Sequence, residues 1–454
     1  MKKTCRLYPA PKGAPLYEGL TFFVNDDACD IYEVRVNESR RWQPDFNPPT
    51  TTAPMAYFDF EGEAELQIET KQKLRSAVIR PLRENIPFTI DENVLKFKIK
   101  RPGPYIVELD GKVHGAFMIF ANPMETDAPQ PGEKDVIYYG PGIYEEDEPV
   151  MVPSGKTLYL AGGAVLRGMV RAENAENITI RGRGIVDGSR FDTWSREPNK
   201  EPFKMYGCRN VRMEGIIFSD SNAWSVNSLE CENVEYDNVK TITARPNGDG
   251  ISFQSSRNCV IRNCFSRTWD DSLVIKNLEG NTDNLLFENC FVWTDFAQSL
   301  EIGYETNKDA REGSVISNVT FRNITVFHSF HKPVLSIHNS DDALVTDIRY
   351  ENITVEHADM GHGDAGKNNQ LIDFIVKPSR WSHCEKLGQI RNITVDGVTV
   401  LSGKDAPNRI RSHSKASNTE NVTLKNITVL GRKIKGLEDG KFSVDQYTNH
   451  IRFE

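Results

Sequence analysis

The residues able to do chemistry in this chain are carboxylates recurring at a regular interval. Asp270 and Asp271 are adjacent, follow Trp269, and lead into the apolar run Leu273-Val274-Ile275. Asp249 lies 21 residues before Asp270, in Asn247-Gly248-Asp249-Gly250-Ile251, and Glu301 follows in Ser299-Leu300-Glu301-Ile302-Gly303-Tyr304. Adjacent carboxylates repel, and a strand entrance offers no helix dipole to offset the repulsion. Gathered into one patch, three or four such groups cannot all ionise freely: at least one pKa rises, and the set titrates as a unit. A protonated acid beside an ionised base is what glycosidic cleavage requires, one protonating the leaving oxygen while the other activates water or attacks the sugar. Two other readings of the same residues stand beside this one. Stacked aspartates are oxygen ligands for Ca²⁺, and Asp-Asp and Gly-Asp-Gly are also common solvated turns.

These side chains meet only if the chain between them makes one full turn, and a repeat supplies it. From about residue 176 a short phrase returns: Glu-Asn-Ile-Thr-Ile, Arg-Asn-Val-Arg-Met, Glu-Asn-Val-Glu-Tyr and similar, with Asn or Asp at 177, 210, 233, 258, 284, 318, 347, 392 and 421. The intervals run from 23 to 45 residues. Each phrase alternates polar and apolar with period two, and no helical pattern of useful length intervenes, which predicts a right-handed parallel β-helix. Successive coils then stack at roughly 4.8 Å. The recurring Asn suits a left-handed turn position and can hydrogen-bond up the stack. Residues 1–134 lack the repeat; alternating segments and the Asp110-Gly111 hairpin signal predict an antiparallel β-sandwich. The expected architecture is therefore all-β: a sandwich over 1–134, a linker near 125–132, and a β-helix over 135–454 whose last residues, 430–454, pack on the final coils.

Composition narrows the function classes. The 454 residues are 38% hydrophobic and carry a formal net charge of −9, with a pI near 5.6, which argues against nucleic acid, whose phosphates select basic surfaces. Mean hydropathy is −0.49 and no apolar run approaches 18 residues, so no membrane span is expected. The start, Met1-Lys2-Lys3-Thr4-Cys5-Arg6, lacks the apolar stretch of a secretory signal. Its eight cysteines contain no CxxC pair, and five fall in the repeat, where a thiol serves as a small apolar filler. Both observations suit a reducing, cytoplasmic setting, or a secreted one if a signal is missing. The Asn-Ile/Val-Thr phrases match the glycosylation sequon, but the turn and the strand account for them. His328, His331 and His338 fall on separate faces of a β-helix, so no metal or other cofactor is expected.

At these residues the sequence resembles the clan of glycoside hydrolase families 28 (polygalacturonases) and 49 (dextranases and isopullulanase). Gly182-Arg183-Gly184-Ile185-Val186-Asp187-Gly188, with Trp194 following, is similar to the phrase that opens the active coils. Asn222-Ala223-Trp224-Ser225-Val226 comes next, and Asn247-Gly248-Asp249-Gly250-Ile251 resembles N-T-D-G-I. Asp270-Asp271 matches the paired aspartates, and Leu300-Glu301-Ile302-Gly303 stands where family 28 has G-H-G-L-S-I-G. The resemblance implies an inverting mechanism in which Asp270 is the general acid and Asp249 and Asp271 hold and activate water. Two departures stand out. The stretch that corresponds to the Arg-x-Lys grip on the sugar carboxylate is Leu335-Ser336-Ile337-His338-Asn339, and the family histidine is replaced by Glu301 or a neighbour. Both favour a neutral sugar, and an amino-terminal sandwich resembles family 49, so the expected substrate is a neutral α-linked oligo- or polysaccharide, dextran- or pullulan-like. The alternatives are a polygalacturonase-like hydrolase or a uronate lyase on the same fold, and a non-catalytic carbohydrate-binding β-helix.

Supporting roles follow from position. Trp224 and Trp269 are candidates for stacking on sugar rings, Asn247 for positioning Asp249, and Lys276 and His338 for donating to hydroxyls or to the acidic cluster. Glu301 and Tyr304 border the expected cleft, while Glu305 and Asp295 read as solvated charges. Loops 305–313 and 361–369 are candidate walls of a cleft closed at one end. The expected assembly is a monomer or small homo-oligomer.

Overall fold

The computed structural model describes residues 4–37, 52–191, 200–361 and 368–454. From Val136 onward the chain winds into a right-handed parallel β-helix. One sheet runs through 21 strands and carries the first and second strands of the coils; an 11-stranded sheet, from Val150–Met151 to Phe442–Val444, carries the third. Among the described residues the helical content is a single short turn, Leu82–Glu84, and no helix is long and apolar enough to cross a membrane.

The recurring Asn explains how each coil bends. Asn177, Asn210, Asn233, Asn258, Asn284, Asn318, Asn392 and Asn421 all hold φ between 54° and 57°, a region Asn tolerates better than most residues. Their side chains link coil to coil: Asn210 Nδ2 donates to Asn177 Oδ1 and Asn233 Nδ2 to Asn210 Oδ1, both at 3.1 Å. A second left-handed series, Asn238, Asn263, Asn289, Asn323 and Asn352, follows in the same coils, and its last members are linked coil to coil, Asn323 to Asn289 at 3.2 Å and Asn352 to Asn323 at 2.8 Å. Between these kinks the alternating pattern points Ile178 and Ile180, then Val211 and Met213, then Leu285 and Phe287, into one continuous core. Phe287, Phe321, Tyr350 and Phe374 form a column of stacked rings at 5.0, 5.2 and 5.7 Å between successive centroids. Cys208, Cys231, Cys259, Cys264 and Cys290 fill the same interior, and all eight cysteines are free.

The amino-terminal sandwich packs a six-stranded sheet on a five-stranded one around Phe22, Phe58, Leu66, Phe97 and Phe117. It is antiparallel except for one pairing that the local alternation does not disclose: Phe117–Pro123 runs parallel to Thr52–Glu61. The outer side of this domain lies on the second strands of the coils. Met55, Tyr57, Met118 and Phe120 meet Ile185, Ile217, Ile242, Phe265 and Trp293 in a shared apolar layer. Buried ion pairs cross the same junction. Arg183 meets Asp59 at 2.8 Å, and Arg80 bridges Glu108 at 2.6 Å and Glu356 at 2.8 Å. With that face covered, the outward side of the 11-stranded sheet and its bordering turns remain free to form a cleft.

Removing one ring from the stacked column tests this account of stability. Phe321→Ala leaves a void between Phe287 and Tyr350 and is expected to cost ~3–5 kcal/mol, read as a lower midpoint in urea denaturation followed by circular dichroism.

Candidate active site

Register sets the site. Ile251, Leu273, Leu300 and Leu335 pair in sequence across the 11-stranded sheet. The ladder continues back into the preceding turns: Ser225 N–H donates to Asp249 O, Gly250 N–H to Asp271 O, Ser272 N–H to Gln298 O, and Ser299 N–H to Pro333 O, at 2.8–3.1 Å. Asp249, Asp271 and Gln298, each two residues before its strand, therefore rise one above another. Gly250 permits the close stacking, because a Cβ there would meet Ser272 O at 2.5 Å.

The turns enclose a cleft of about 660 Å³ lined by Trp224, Asn247, Asp249, Trp269, Asp270, Asp271, Lys276 and Tyr304 among others. Asp270 is the most open of the three aspartates; Asp249 and Asp271 are 3% and 7% exposed. Backbone amides hold the carboxyls. Asn247 N–H donates to Asp270 Oδ2 at 2.8 Å, so Asn247 positions Asp270 rather than Asp249. Asp271 N–H donates to Asp270 Oδ1 at 3.1 Å, and Gln298 N–H to Asp271 Oδ1 at 2.9 Å. Asp249 Oδ2 is buried without a hydrogen-bond donor among the described residues and lies 3.8 Å from Lys276 Nζ.

Burial foremost, and then the neighbouring Asp270 and Asp271 charges, drives the Asp249 carboxyl well above its ordinary range, with Lys276 pulling the other way. Burial, Asp270 and Glu301 do the same to Asp271. Asp249 and Asp271 thus hold protons at a pH where free carboxylates are ionised. Burial works against the Lys276 charge, but Glu305, Asp249 and Asp271 outweigh it and raise its pKa. Lys276 Nζ sits 2.9 Å from Glu305 and 4.7 Å from the centroid of the Trp224 ring.

Several sequence expectations change in detail. Glu305 is no solvated charge; it is the partner of Lys276 at the cleft wall. Asp295 is fully enclosed, paired with Arg267 at 3.1 Å and accepting from Trp293 Nε1 at 2.9 Å. Trp269 lines the cleft, but one face is taken by Phe296, stacked at 4.8 Å. Glu301 and His338, expected to meet substrate, are 0% and 1% exposed and lie beneath the cleft floor. They do point outward from the sheet, but Gln298, Tyr304 and the turn carrying Trp381 cover them. His338 Nδ1 is 2.9 Å from Glu301, its Nε2 is 2.9 Å from Asp373, and its ring stacks on Tyr304 at 4.5 Å. Glu301 is thus neutralised in place and presents no charge to a ligand. His328 and His331 lie elsewhere, against Glu108 at the domain junction and against Phe296. Trp194 and most of the loop 361–369 fall outside the described residues.

The structure adds cleft residues that the motifs did not. Gln298 is the residue above Asp271, and counting back two positions from Leu300, as from Ile251 to Asp249, would have found it; it also occupies the histidine position of G-H-G-L-S-I-G. Its Nε2 donates to the Tyr304 hydroxyl at 3.1 Å. Phe296, Lys332, Arg380 and Trp381 complete the far rim. Lys332 Nζ lies 4.7 Å from the centroid of the Phe296 ring, and the Arg380 guanidinium 4.1 Å from that of Trp381. The turns holding these residues carry no periodic signal.

The raised Asp271 carboxyl has a consequence for stability. It stays protonated in the fold where the unfolded chain's carboxyl, near ~3.9, has ionised, so stability falls as pH climbs from about 4 through the folded pKa. Asp271→Asn keeps an acceptor for Gln298 N–H and removes this titration. Calorimetry is expected to find its Tm above that of the parent by on the order of 2 °C at pH 8, with the two converging at pH 4.

Comparison with known proteins places this arrangement. The family model for glycosyl hydrolases family 28 matches residues 162–439, more than half the chain and the whole column from Trp224 to Gln298. An exopolygalacturonase of Arabidopsis thaliana is 23% identical over 256 residues, 52% of this chain and 57% of that protein. A probable polygalacturonase of the same plant is 28% identical over 109 residues, 23% of this chain and 24% of that protein. The matches therefore span between a quarter and somewhat over half of these relatives' lengths. Dex49A from Penicillium minioluteum superposes with a TM-score of 0.65 at 13% identity, covering 99% of this chain and 96% of that one; the likeness is one of fold, sandwich included. On the extent of the family match, the chain belongs to glycosyl hydrolases family 28.

Proposed function

We propose that the protein cleaves an α-glycosidic bond with inversion, Asp270 delivering the proton to the leaving oxygen while Asp249 and Asp271 hold and activate the water. The observation that carries this reading is the buried Asp249 Oδ2, an acceptor with no donor among the described residues, one coil from Asp271 in the same column. A water bridging those two carboxyls would be oriented by both. Asp270, the member that opens to the cleft, is the one a leaving oxygen can reach. Burial raises both Asp249 and Asp271, so a proton held by one leaves the other free to accept from the water, and Lys276 favours that ionised form.

The sugar at this centre is read as uncharged. The strand positions matching the family's Arg-x-Lys are Ser336 and His338, both buried, and the nearby Lys276 is already paired with Glu305 and Asp249. A second reading rests on a different observation. Lys332 and Arg380 at the far rim would suit an acidic sugar in the adjoining subsite, and both Arabidopsis relatives are polygalacturonases by name. Trp381, 40% exposed, offers a ring for stacking in either case.

A screen of α-linked gluco-oligosaccharides beside oligogalacturonides separates the two substrates, and proton NMR of the first-formed anomer reads the stereochemistry. The expected first product has the inverted configuration; a retained one refutes the division of labour among the three aspartates. Asp270→Asn is expected to lower kcat by ~10²–10⁴-fold with little change in Tm, measured on whichever oligosaccharide is cleaved.

A further inference from the structure

Directly under the cleft floor lies a chain of four charges that the proposed reaction does not use. Glu301, Ser336, Asp373 and Arg409 occupy one outward row of the 11-stranded sheet, coil after coil. His338, two residues along, bridges Glu301 and Asp373 at 2.9 Å on each side. Ser336 Oγ donates to Glu301 Oε2. Arg409 clamps Asp373, its Nε donating to Oδ1 at 2.6 Å and its Nη2 to Oδ2 at 2.5 Å. Glu301, His338 and Asp373 are almost wholly buried. Two negative and two positive charges alternate along the row, so the assembly is neutral only while His338 is an imidazolium. Burial opposes that charge, but Glu301 and Asp373 raise its pKa to about 10.

This row touches the acidic site at one end. Glu301 lies in the coil after Asp271, and Gln298, whose N–H holds Asp271, packs its side-chain amide 3.4 Å from His338 Nδ1. Tyr304 closes the same contact, stacked on His338 and accepting from Gln298. We propose that Glu301 and His338 form a neutralised pair under the cleft and act as positioning residues whose opposed charges cancel at Asp271, so that neither biases its release of a proton. The reason for a pair in place of an apolar filling is electrostatic. Glu301 alone would bind the Asp271 proton more tightly, and His338 alone would strip it. Together they leave the balance to the groups that face Asp271 from above and beside: Asp270 in its own turn, Asp249 one coil back, and Lys276 with its partner Glu305.

This inference takes from the functional reading only that Asp271 acts as a base, and the two fail separately. In the full-length chain, ¹³Cγ-aspartate NMR titration reads Asp271 directly, with Asp271→Asn identifying its resonance. Glu301→Gln, nearly isosteric, is expected to lower the Asp271 midpoint by roughly 0.5–1 pH unit, and His338→Gln to raise it by a similar amount. The double variant is expected to return close to the parent. On the oligosaccharide that is turned over, trigalacturonate or isomaltotriose, the acid limb of kcat/KM is expected to move in the same directions. A merely structural role would shift Tm and leave these midpoints in place, or move both the same way, and either result overturns the inference. Should His338→Gln fail to fold, an unmoved midpoint in Glu301→Gln alone does so. Retained turnover by Asp271→Asn refutes its role as base, whatever the titrations show.

Discussion

Everything in this molecule rests on the in-register parallel pairing of one coil with the next. Each coil donates and accepts along its whole length, so a side chain's position is fixed by the residue one coil below. In the interior this produces columns of like with like: valine on isoleucine, cysteine on cysteine, ring on ring. At the bends it places asparagine on asparagine, which suits an amide that donates on one side and accepts on the other. At the cleft the same rule sets aspartate on aspartate. Repulsion there is local, whereas the ladder is continuous, and so the column of acids holds. The charge is met by backbone amides from Asn247, Asp271 and Gln298 and by a single ammonium, Lys276.

How much of this is legible in the sequence follows from the same constraint. The repeat of Asn followed by β-branched residues is a local signal, and it is enough for the β-helix and for the turn role of Asn177 and its successors. The 21-residue interval from Asp249 to Asp270 is one residue short of the coil that sets Asp249 under Asp271, so the meeting of these aspartates is legible too, and Trp224, Trp269, Lys276 and Tyr304 do line the same cleft. What escapes depends on contacts with no period. Glu301 and His338 have the outward parity of cleft residues, but whether an outward side chain meets solvent depends on what a distant turn lays over it. Lys332, Arg380 and Trp381 lie in such turns. The parallel pairing of Phe117–Pro123 with Thr52–Glu61 is likewise invisible to local alternation, because direction is a property of the partner strand.

The two layers of charge under and within the cleft follow different rules. Within it, three acids with one close cation leave a surplus of negative charge that can be relieved only by protons, which makes the site responsive to pH. Beneath it, Glu301, His338, Asp373 and Arg409 alternate in sign and are saturated by one another, which makes that layer stiff. A responsive layer on a stiff one keeps proton movement confined to the groups that meet the ligand.

The spacing of the Asn kinks has a consequence for how such a chain diverges. Their intervals range from 23 to 45 residues, yet each coil re-enters its sheets, with one register shift, where Trp293 meets His328. Extra chain is discharged as an excursion on one side or the other of the third strand, and the next kink restores phase. Insertions are therefore nearly harmless at those excursions and ruinous inside a strand, where a single added residue would turn the core face outward. The walls of the cleft are built from these excursions, so lineages sharing the barrel of coils can exchange one sugar for another by editing a few exposed bends.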